Sequence, residues 1–175
     1  IHQSLISSID GRNIFATKEG DYSEAFFHYL GGLQKYIPNV VSFFAPNVNS
    51  YRRFARGVSS SPINLHWGYD NRTTGLRIPD ASPKNYRIEN RLPGADVNPY
   101  LSIAATLACG YLGMKNKINP SAPYEGNAYE EALTLPRTLE EALRGLSENP
   151  DIEKLFGERF IQLYTSIKLM EFEEF

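Results

Sequence analysis

The spacing of apolar residues predicts a long helix near the start of the chain. Ser23 is a suitable N-cap, and the apolar positions after it recur at spacings of four, three and four, which is typical of one helix face. Two adjacent glycines, Gly31 and Gly32, predict that this helix packs very closely on a neighbour. We expect Pro38 to begin a second short helix that runs to about Phe44. The stripe consists of Phe26, Leu30, Leu33 and Ile37.

Three short runs bounded by turn residues predict β-strands. They are INLHWGYD (63–70), TTGLRIP (73–79) and YRIENRLP (86–93), and we expect them to form an antiparallel meander. The stretch before them, residues 45–62, combines turn residues with three Arg and a Ser run and is predicted to be a loop.

The remainder of the chain is predicted to be mostly helical. Asn98-Pro99 and Asn149-Pro150 are both typical of helix starts, and Thr138 with Glu141 forms a capping box. Apolar residues at 160, 163, 164 and 167 predict a final amphipathic helix. Antiparallel strands packed with helices give an α+β fold, which we expect to extend as one domain over residues 1–175.

Length and composition are those of an ordinary globular domain. The 175 residues are 42% hydrophobic and 22% charged. No apolar run approaches the ~20 residues of a membrane span and no secretory leader is visible, so we expect no membrane partner. The lone Cys109 cannot form an internal disulfide, which favours a cytoplasmic location. Because the chain starts at Ile1 without Met, we expect it to be a fragment.

Positive charge is concentrated in residues 51–92. This segment holds seven Arg and one Lys against three acidic residues, a net charge of +5, whereas the rest of the chain carries −7. Arg presents a rigid fork that matches carboxylate and phosphate groups, so we expect small anionic ligands. Nucleic acid is the weaker hypothesis, since the whole chain has a net charge of −2 and no known nucleic-acid-binding module.

One predicted strand carries an acid between two cations. Alternate residues of a strand share a face, so Arg87, Glu89 and Arg91 are expected on one side. The alternative is a weak ladder of surface ion pairs. Arg77 repeats the pattern on a neighbouring strand and Arg72 lies at a turn, so this face would repel itself unless anions fill it. Glu89 is then a candidate ligand for a divalent metal beside a phosphate.

Weaker candidates lie elsewhere in the chain. The stretch NSYRRFARG (49–57) is either an exposed basic loop or carries an Arg that swings over an anionic intermediate. His2 and Ser4 could meet one ligand because their spacing puts them on the same face. Motifs of P-loop, Rossmann, serine-hydrolase and zinc-cluster proteins are absent from the sequence.

Four motifs in register resemble the glutamine synthetase family. They are HQSLISSIDGRNIFA, NSYRRF, WGYDNRTTGLRIP and RIENRLPGADVNPYLSIAA. The resemblance runs from His2 to about Pro123 and continues more weakly through the terminal helices. It implies the C-terminal half of that family's catalytic domain, without the N-terminal β-grasp domain and the first half of the catalytic domain.

The resemblance implies a ligase that joins glutamate to an amine through a γ-glutamyl phosphate, using ATP and Mg²⁺ or Mn²⁺. In the family pattern H-x-H-x-S, the first His, a metal ligand, would precede Ile1. The implied full-length protein is a large ring-shaped homo-oligomer, and this fragment is expected to be inactive by itself. The implied roles are ATP contacts for His2, Ser4, Arg77, Lys84 and Arg87, glutamate binding for Arg53, stabilisation of the transferred phosphate for Arg72, metal binding for Glu89, and a clamp on the substrate carboxylate for Arg91.

One departure bears on the second substrate. In ammonia-using members a Glu follows the SY[KR]R motif and helps to bind and deprotonate ammonium, whereas this chain has Ser59 or Ser60 there. A neutral Ser cannot act as that base, so the resemblance favours the γ-glutamylpolyamine synthetase branch, with an organic amine as acceptor. The alternatives are an ammonia-using glutamine synthetase with a diverged loop and a non-catalytic structural homologue.

Overall fold

The sheet of this protein is small and mixed. The computed structural model describes residues 1–55 and 61–173. Four short strands lie in the spatial order β1-β4-β3-β2. They are β1 (His2–Gln3), β2 (Trp67–Tyr69), β3 (Leu76–Ile78) and β4 (Ile88–Asn90).

Five α-helices complete the α+β fold, which confirms the predicted class. The predicted caps at Ser23, Asn98, Asn149 and Thr138 all accept hydrogen bonds from backbone N–H groups in the first turn of their helices. Within the described residues, no helix combines the length and apolar character needed to span a membrane. The helices are α1 (Glu24–Val40), α2 (Pro99–Lys115), α3 (Leu139–Ser147), α4 (Pro150–Phe156) and α5 (Glu158–Glu173).

The predicted meander is wrong for one pair of strands. β3 runs antiparallel to β4, but β2 and β3 are parallel, with Trp67 opposite Leu76. The turn between them is stabilised by the side chain of Asn71, whose Oδ1 accepts hydrogen bonds from the backbone N–H and the hydroxyl of Thr73. After this turn the chain lies beside the start of β2 again, so β3 runs in the same direction as β2 and the two strands do not form a hairpin.

Two other local predictions are also wrong. Pro38 lies inside α1 and does not begin a new helix; α1 continues to Val40 and is followed by a 3₁₀ turn, Val41–Phe43. Within the predicted loop, Val48–Arg53 forms a 3₁₀ helix. That helix is stabilised by a hydrogen bond from the Asn47 N–H to the Ser50 hydroxyl. Asn and Ser are equally common in turns, so the composition of the stretch did not separate this cap from a loop.

The core lies between the helices and one face of the sheet. Trp67, Leu76, Ile78 and Ile88 are all at most 2% exposed on this face. α1 and α2 meet through their backbones, because a Cβ on Gly32 would lie 2.3 Å from the Cys109 carbonyl oxygen. The close packing predicted from the paired glycines is therefore confirmed. Since the inner face is filled by apolar side chains, the charged residues of the strands project from the opposite face.

Candidate active site

A row of three polar side chains crosses the outer face of the sheet. Backbone pairing puts His2 of β1 opposite Glu89 of β4, and Glu89 opposite Arg77 of β3. Neighbouring positions on these strands, such as Ile88 and Leu76, face the core. The strand alternation therefore predicted the shared face of Arg77 and Glu89 correctly, because the period of two is preserved in strands of only three residues.

The carboxylate of Glu89 is the centre of this face. Arg77 donates from Nη1 to Glu89 Oε2 at 2.9 Å. Arg91 Nε and His2 Nε2 lie 4.0 and 3.8 Å from Glu89 Oε1. The side chains of Arg77, Arg91 and Glu89 are only 13, 15 and 21% exposed, so solvent screens their attraction weakly. With Asp70, these residues form what we call the Glu89 cluster: His2, Asp70, Arg77, Glu89 and Arg91.

Asp70 is a member of the cluster that sequence reasoning missed. Its carboxylate accepts a hydrogen bond from Arg77 Nη2, so Arg77 lies between two acids. Burial by itself would lower the pKa of Arg77, but the hydrogen bonds to Glu89 and Asp70 outweigh it and raise that pKa. The positive charge of Arg77 is thus matched within the protein. The only available signal was the position of Asp70, two residues before Arg72 at a predicted turn.

Arg91 connects the Glu89 cluster to the turn before β3 through hydrogen bonds. Its Nη1 donates to the backbone carbonyls of Arg72 and Thr74, the latter at 3.1 Å. These bonds place the backbone of Arg72 beside the cluster, while the Arg72 residue itself is exposed. The backbone of Arg72 is therefore held at the cluster, and its role toward a ligand stays a prediction.

Three more of the residues predicted to contact nucleotide lie outside the Glu89 cluster. Lys84 lies in the 3₁₀ turn Pro83–Asn85 and lines a cleft of about 700 Å³ together with side chains from the segment 6–18. Arg87 does not pair with Glu89 but donates to the Asn85 carbonyl at 3.3 Å. Ser4 is exposed just beyond β1.

The surroundings of His2 favour its neutral imidazole, because they hold its pKa below the ordinary value. Burial lowers its pKa, and the charges of Arg87 and Arg77 lower it further against the opposing effect of Glu89. A neutral imidazole can donate one hydrogen bond and accept another, which suits contact with a polar ligand more than charge pairing with a phosphate.

Arg53 reaches the same region from the short helix Val48–Arg53. Its guanidinium donates to the carbonyls of Phe44 and Leu92, each at 3.2 Å. Since Leu92 directly follows Arg91, these bonds bring Arg53 to the end of β4. Burial lowers the pKa of Arg53. Among residues 1–55 and 61–173, the Nε atoms of Arg53 and Arg77 are both buried without a hydrogen-bond partner.

The residues fit a divalent metal only as part of its coordination shell. Glu89 offers carboxylate oxygens and His2 offers an imidazole nitrogen, but within residues 1–55 and 61–173 no group of three or more His, Cys, Asp or Glu could hold an ion. Mg²⁺ takes six oxygen ligands in total, several of them from phosphates and water. Glu89 therefore fits as one ligand of a metal that is held chiefly by other groups. Ser59 and Ser60 lie outside the described residues.

The chain is similar to known proteins over its whole length. The sequence model described as "glutamine synthetase, catalytic domain" matches residues 1–175. The chain is 38% identical to a glutamate–isopropylamine ligase of Pseudomonas sp. over 99% of this chain and 39% of the relative. It is 39% identical to the γ-glutamylputrescine synthetase PuuA of Escherichia coli over 99% of this chain and 37% of the relative.

A glutamine synthetase of Pyrococcus woesei is 35% identical over all of this chain and 41% of its own length. A solved structure of apo GmaS without ligand superimposes with a TM-score of 0.85 at 31% identity, covering 99% of this chain and 40% of that one. The chain thus spans about two fifths of the proteins it matches. It belongs to the glutamine synthetase family.

Proposed function

We propose that the full-length protein, meaning the longest natural polypeptide that contains these residues, is an ATP-dependent ligase that joins the γ-carboxyl of glutamate to an organic amine. The observation that carries this proposal is the Glu89 cluster, in which one metal-competent carboxylate lies within 4.0 Å of two sheltered guanidiniums. Such a face suits a ligand that combines phosphate, carboxylate and a divalent cation. The names of the Pseudomonas and E. coli relatives, an isopropylamine ligase and a putrescine synthetase, support an organic amine.

The proposed roles divide these residues between ATP and glutamate. ATP would be bound by residues of the cleft side and the cluster, namely His2, Ser4, Arg72, Arg77, Lys84 and Arg87. Arg53 and Arg91 would bind glutamate, with Arg72 contacting the group in transfer. Mg²⁺ or Mn²⁺, with Glu89 among its ligands, would supply positive charge to the phosphates.

The chemistry needs two substitutions. First, an oxygen of the glutamate γ-carboxylate attacks the γ-phosphorus of ATP; a new P–O bond forms, the bond to the β-phosphate oxygen breaks, and ADP leaves. Next, the amine nitrogen attacks the acyl carbon; a C–N bond forms, the C–O bond to phosphate breaks, inorganic phosphate leaves, and the amine proton passes to solvent water. Arg72 and Arg53 would stabilise the charge that develops on the phosphoryl oxygens and the carboxylate, which is the main contribution that fixed cations make in such reactions.

An ammonia-using glutamine synthetase is the second candidate, favoured by the 35% identical glutamine synthetase of P. woesei. A non-catalytic homologue is the third. The clustered charges argue against it, because sheltered cations and acids are costly to keep without a ligand. Ring assembly and a cytoplasmic location also stay predictions.

The test is an ATP-turnover assay of the full-length protein. Phosphate release and product mass are measured with glutamate, MgATP and, in turn, isopropylamine, putrescine and ammonia. We expect turnover with at least one organic amine and a kcat/KM at least tenfold lower with ammonia, the size of difference that a missing charged contact produces. Preferred turnover of ammonia would support the second candidate, and failure to bind MgATP would support the third.

A pair of neighbouring arginines provides the matched variants. Arg53 lies at the end of the short helix with its guanidinium half-buried, whereas Arg52 is exposed. We expect Arg53→Lys to raise the KM for glutamate by about tenfold or more, because an ammonium cannot span the Phe44 and Leu92 carbonyls and a ligand together. Arg52→Lys is expected to leave that KM unchanged.

A further inference from the structure

The carboxylate of Asp96 holds the beginning of the helix that carries Arg53. Asp96 Oδ2 accepts a hydrogen bond from the Ser50 hydroxyl at 2.5 Å and another from Asn47 Nδ2 at 3.2 Å. Ser50 is 4% exposed, so its hydroxyl has few solvent partners to replace Asp96. Nothing in the sequence pattern assigned a role to Asp96, which lies between β4 and α2.

The hydroxyl of Ser50 connects Asp96 to the helix backbone. It accepts from the Asn47 N–H at 3.1 Å while it donates to Asp96. The Ser50 N–H in turn bonds to the Asn47 carbonyl at 2.9 Å. The first turn of the helix is therefore fixed by one carboxylate that belongs to another part of the chain, and hydrogen bonds to a charged acceptor are stronger than neutral ones.

Arg53 is the last residue of that helix, and its side chain extends back to the neighbourhood of Asp96. A Cβ on Gly94 would lie 2.4 Å from Asp96 Oδ1 and 2.8 Å from Arg53 Nη2, so the carboxylate and the guanidinium both contact this glycine. The two groups also attract each other across it: the charge of Asp96 opposes the lowering of the Arg53 pKa by burial. Asp96 thus determines both where the helix starts and what lies beside its final side chain.

We propose that Asp96 is a positioning residue, which holds the helix Val48–Arg53 through Ser50 and Asn47 and thereby sets the place of the Arg53 guanidinium at the end of β4. This inference rests on the proposed function, in which Arg53 binds glutamate. Asp96 does not touch the substrate. Its effect is on the affinity for glutamate and not on the affinity for ATP, whose binding residues are on the other strands and in the cleft.

The test compares variants of the full-length protein in the ATP-turnover assay. We expect Asp96→Ala and Ser50→Ala each to raise the KM for glutamate by about tenfold, the equivalent of losing one charge-assisted hydrogen bond, with the KM for ATP within about twofold of wild type. The double variant is expected to raise the KM for glutamate by less than the product of the two single effects, because both single variants remove the hydrogen bond between Ser50 and Asp96. Asp96→Asn keeps an acceptor oxygen but loses the charge, and is expected to restore part of the glutamate affinity.

Asp21 provides the control, as an exposed aspartate outside the site. Asp21→Ala and Asp21→Asn are expected to leave both KM values unchanged. An unchanged KM for glutamate in Asp96→Ala would overturn the proposal. So would equal effects of Asp96→Asn and Asp96→Ala, since the hydrogen bonds that Asn can still accept from Ser50 and Asn47 would then contribute nothing.

Hydrogen exchange separates failure of this proposal from failure of the proposed function. In Asp96→Ala and Ser50→Ala we expect faster exchange of the backbone amides of residues 50–54, and in Asp21→Ala no change. A wild-type protein without glutamate-dependent ATP turnover would defeat the proposed function. Exchange rates of residues 50–54 that match wild type in both variants would defeat the holding role of Asp96, whatever the turnover.

Discussion

Glu89 and Arg77 face each other across the β3–β4 ladder, with Arg77 Nη1 2.9 Å from Glu89 Oε2. The same carboxylate has its other oxygen directed at Arg91 and His2. One acid therefore organises three side chains from three different strands or strand ends.

We expect Glu89→Gln to lower the kcat of the full-length protein by about 100-fold or more, because the amide keeps the shape of the side chain but removes the charge that a metal and Arg77 require. The measurement is kcat at saturating glutamate, amine and MgATP. Glu19→Gln, at an exposed position, is the control and is expected to retain full activity. A Glu89→Gln protein with most of the wild-type kcat would contradict the role of Glu89.

Asp70→Asn is expected to have a far smaller effect than Glu89→Gln. The Asp70 side chain is 61% exposed, against 21% for Glu89, so solvent screens its pair with Arg77. Exposed pairs contribute about 0–1 kcal/mol, which limits the change in kcat/KM for ATP to about fivefold. A loss as large as that of Glu89→Gln would mean that Asp70 contacts the nucleotide or its metal directly.

Gly32→Ala is expected to destabilise the fold. The added Cβ would lie 2.3 Å from the Cys109 carbonyl oxygen and 2.5 Å from the Gly113 Cα, and neither backbone can move without separating α1 from α2. We expect the free energy of unfolding to fall by about 2–3 kcal/mol, measured by denaturant titration, despite the better helix propensity of Ala. Gly145→Ala in α3 is the matched control: its nearest neighbour would be at 3.5 Å, so we expect no loss and a gain of up to about 1 kcal/mol.

The raised pKa of Tyr22 predicts that the free energy of unfolding falls at alkaline pH. Burial, reinforced by the neighbouring Tyr86 and Tyr69, raises the pKa of Tyr22 from 10 to about 12. Between these values the unfolded chain releases the Tyr22 proton more readily than the native protein does, so stability falls as the pH rises through this window. We expect Tyr22→Phe to show a shallower fall than wild type in unfolding experiments from pH 9 to 12. Identical slopes would place the pKa of Tyr22 near its ordinary value.

The outer face of the sheet was the most predictable part of the molecule. Alternation in YRIENRLP and in GLRIP separates Arg77 and Glu89 from Ile88 and Leu76, and burial of the apolar set is enough to fix which way each side chain projects. Arg87 shows the limit of that reasoning. It keeps the alternation but lies beside the turn Pro83–Asn85, where the Asn85 carbonyl offers it a partner.

Tertiary hydrogen bonds account for what the sequence did not predict. The side chain of Asn71, between β2 and β3, donates to the distant carbonyls of Tyr124 and Gly126, and the helix Val48–Arg53 is held by Asp96 from another part of the chain. A period of two or 3.6 carries no information on such long-range polar contacts. Asp70 and Asp96 were missed for this reason, although Asp70 lies two residues before Arg72 and Asp96 two residues before the predicted cap Asn98.

The close contact between α1 and α2 restricts how this protein could be redesigned. Because the backbones of the two helices touch at Gly32 and Gly113, the distance between the helices cannot be increased in small steps by introducing slightly larger side chains. α2 starts at Pro99, three residues after Asp96, so this close contact between the helices lies near the region that positions Arg53 in sequence. Under the proposed function, attempts to change glutamate binding would therefore do better to vary the residues around Arg53 than to repack the interior.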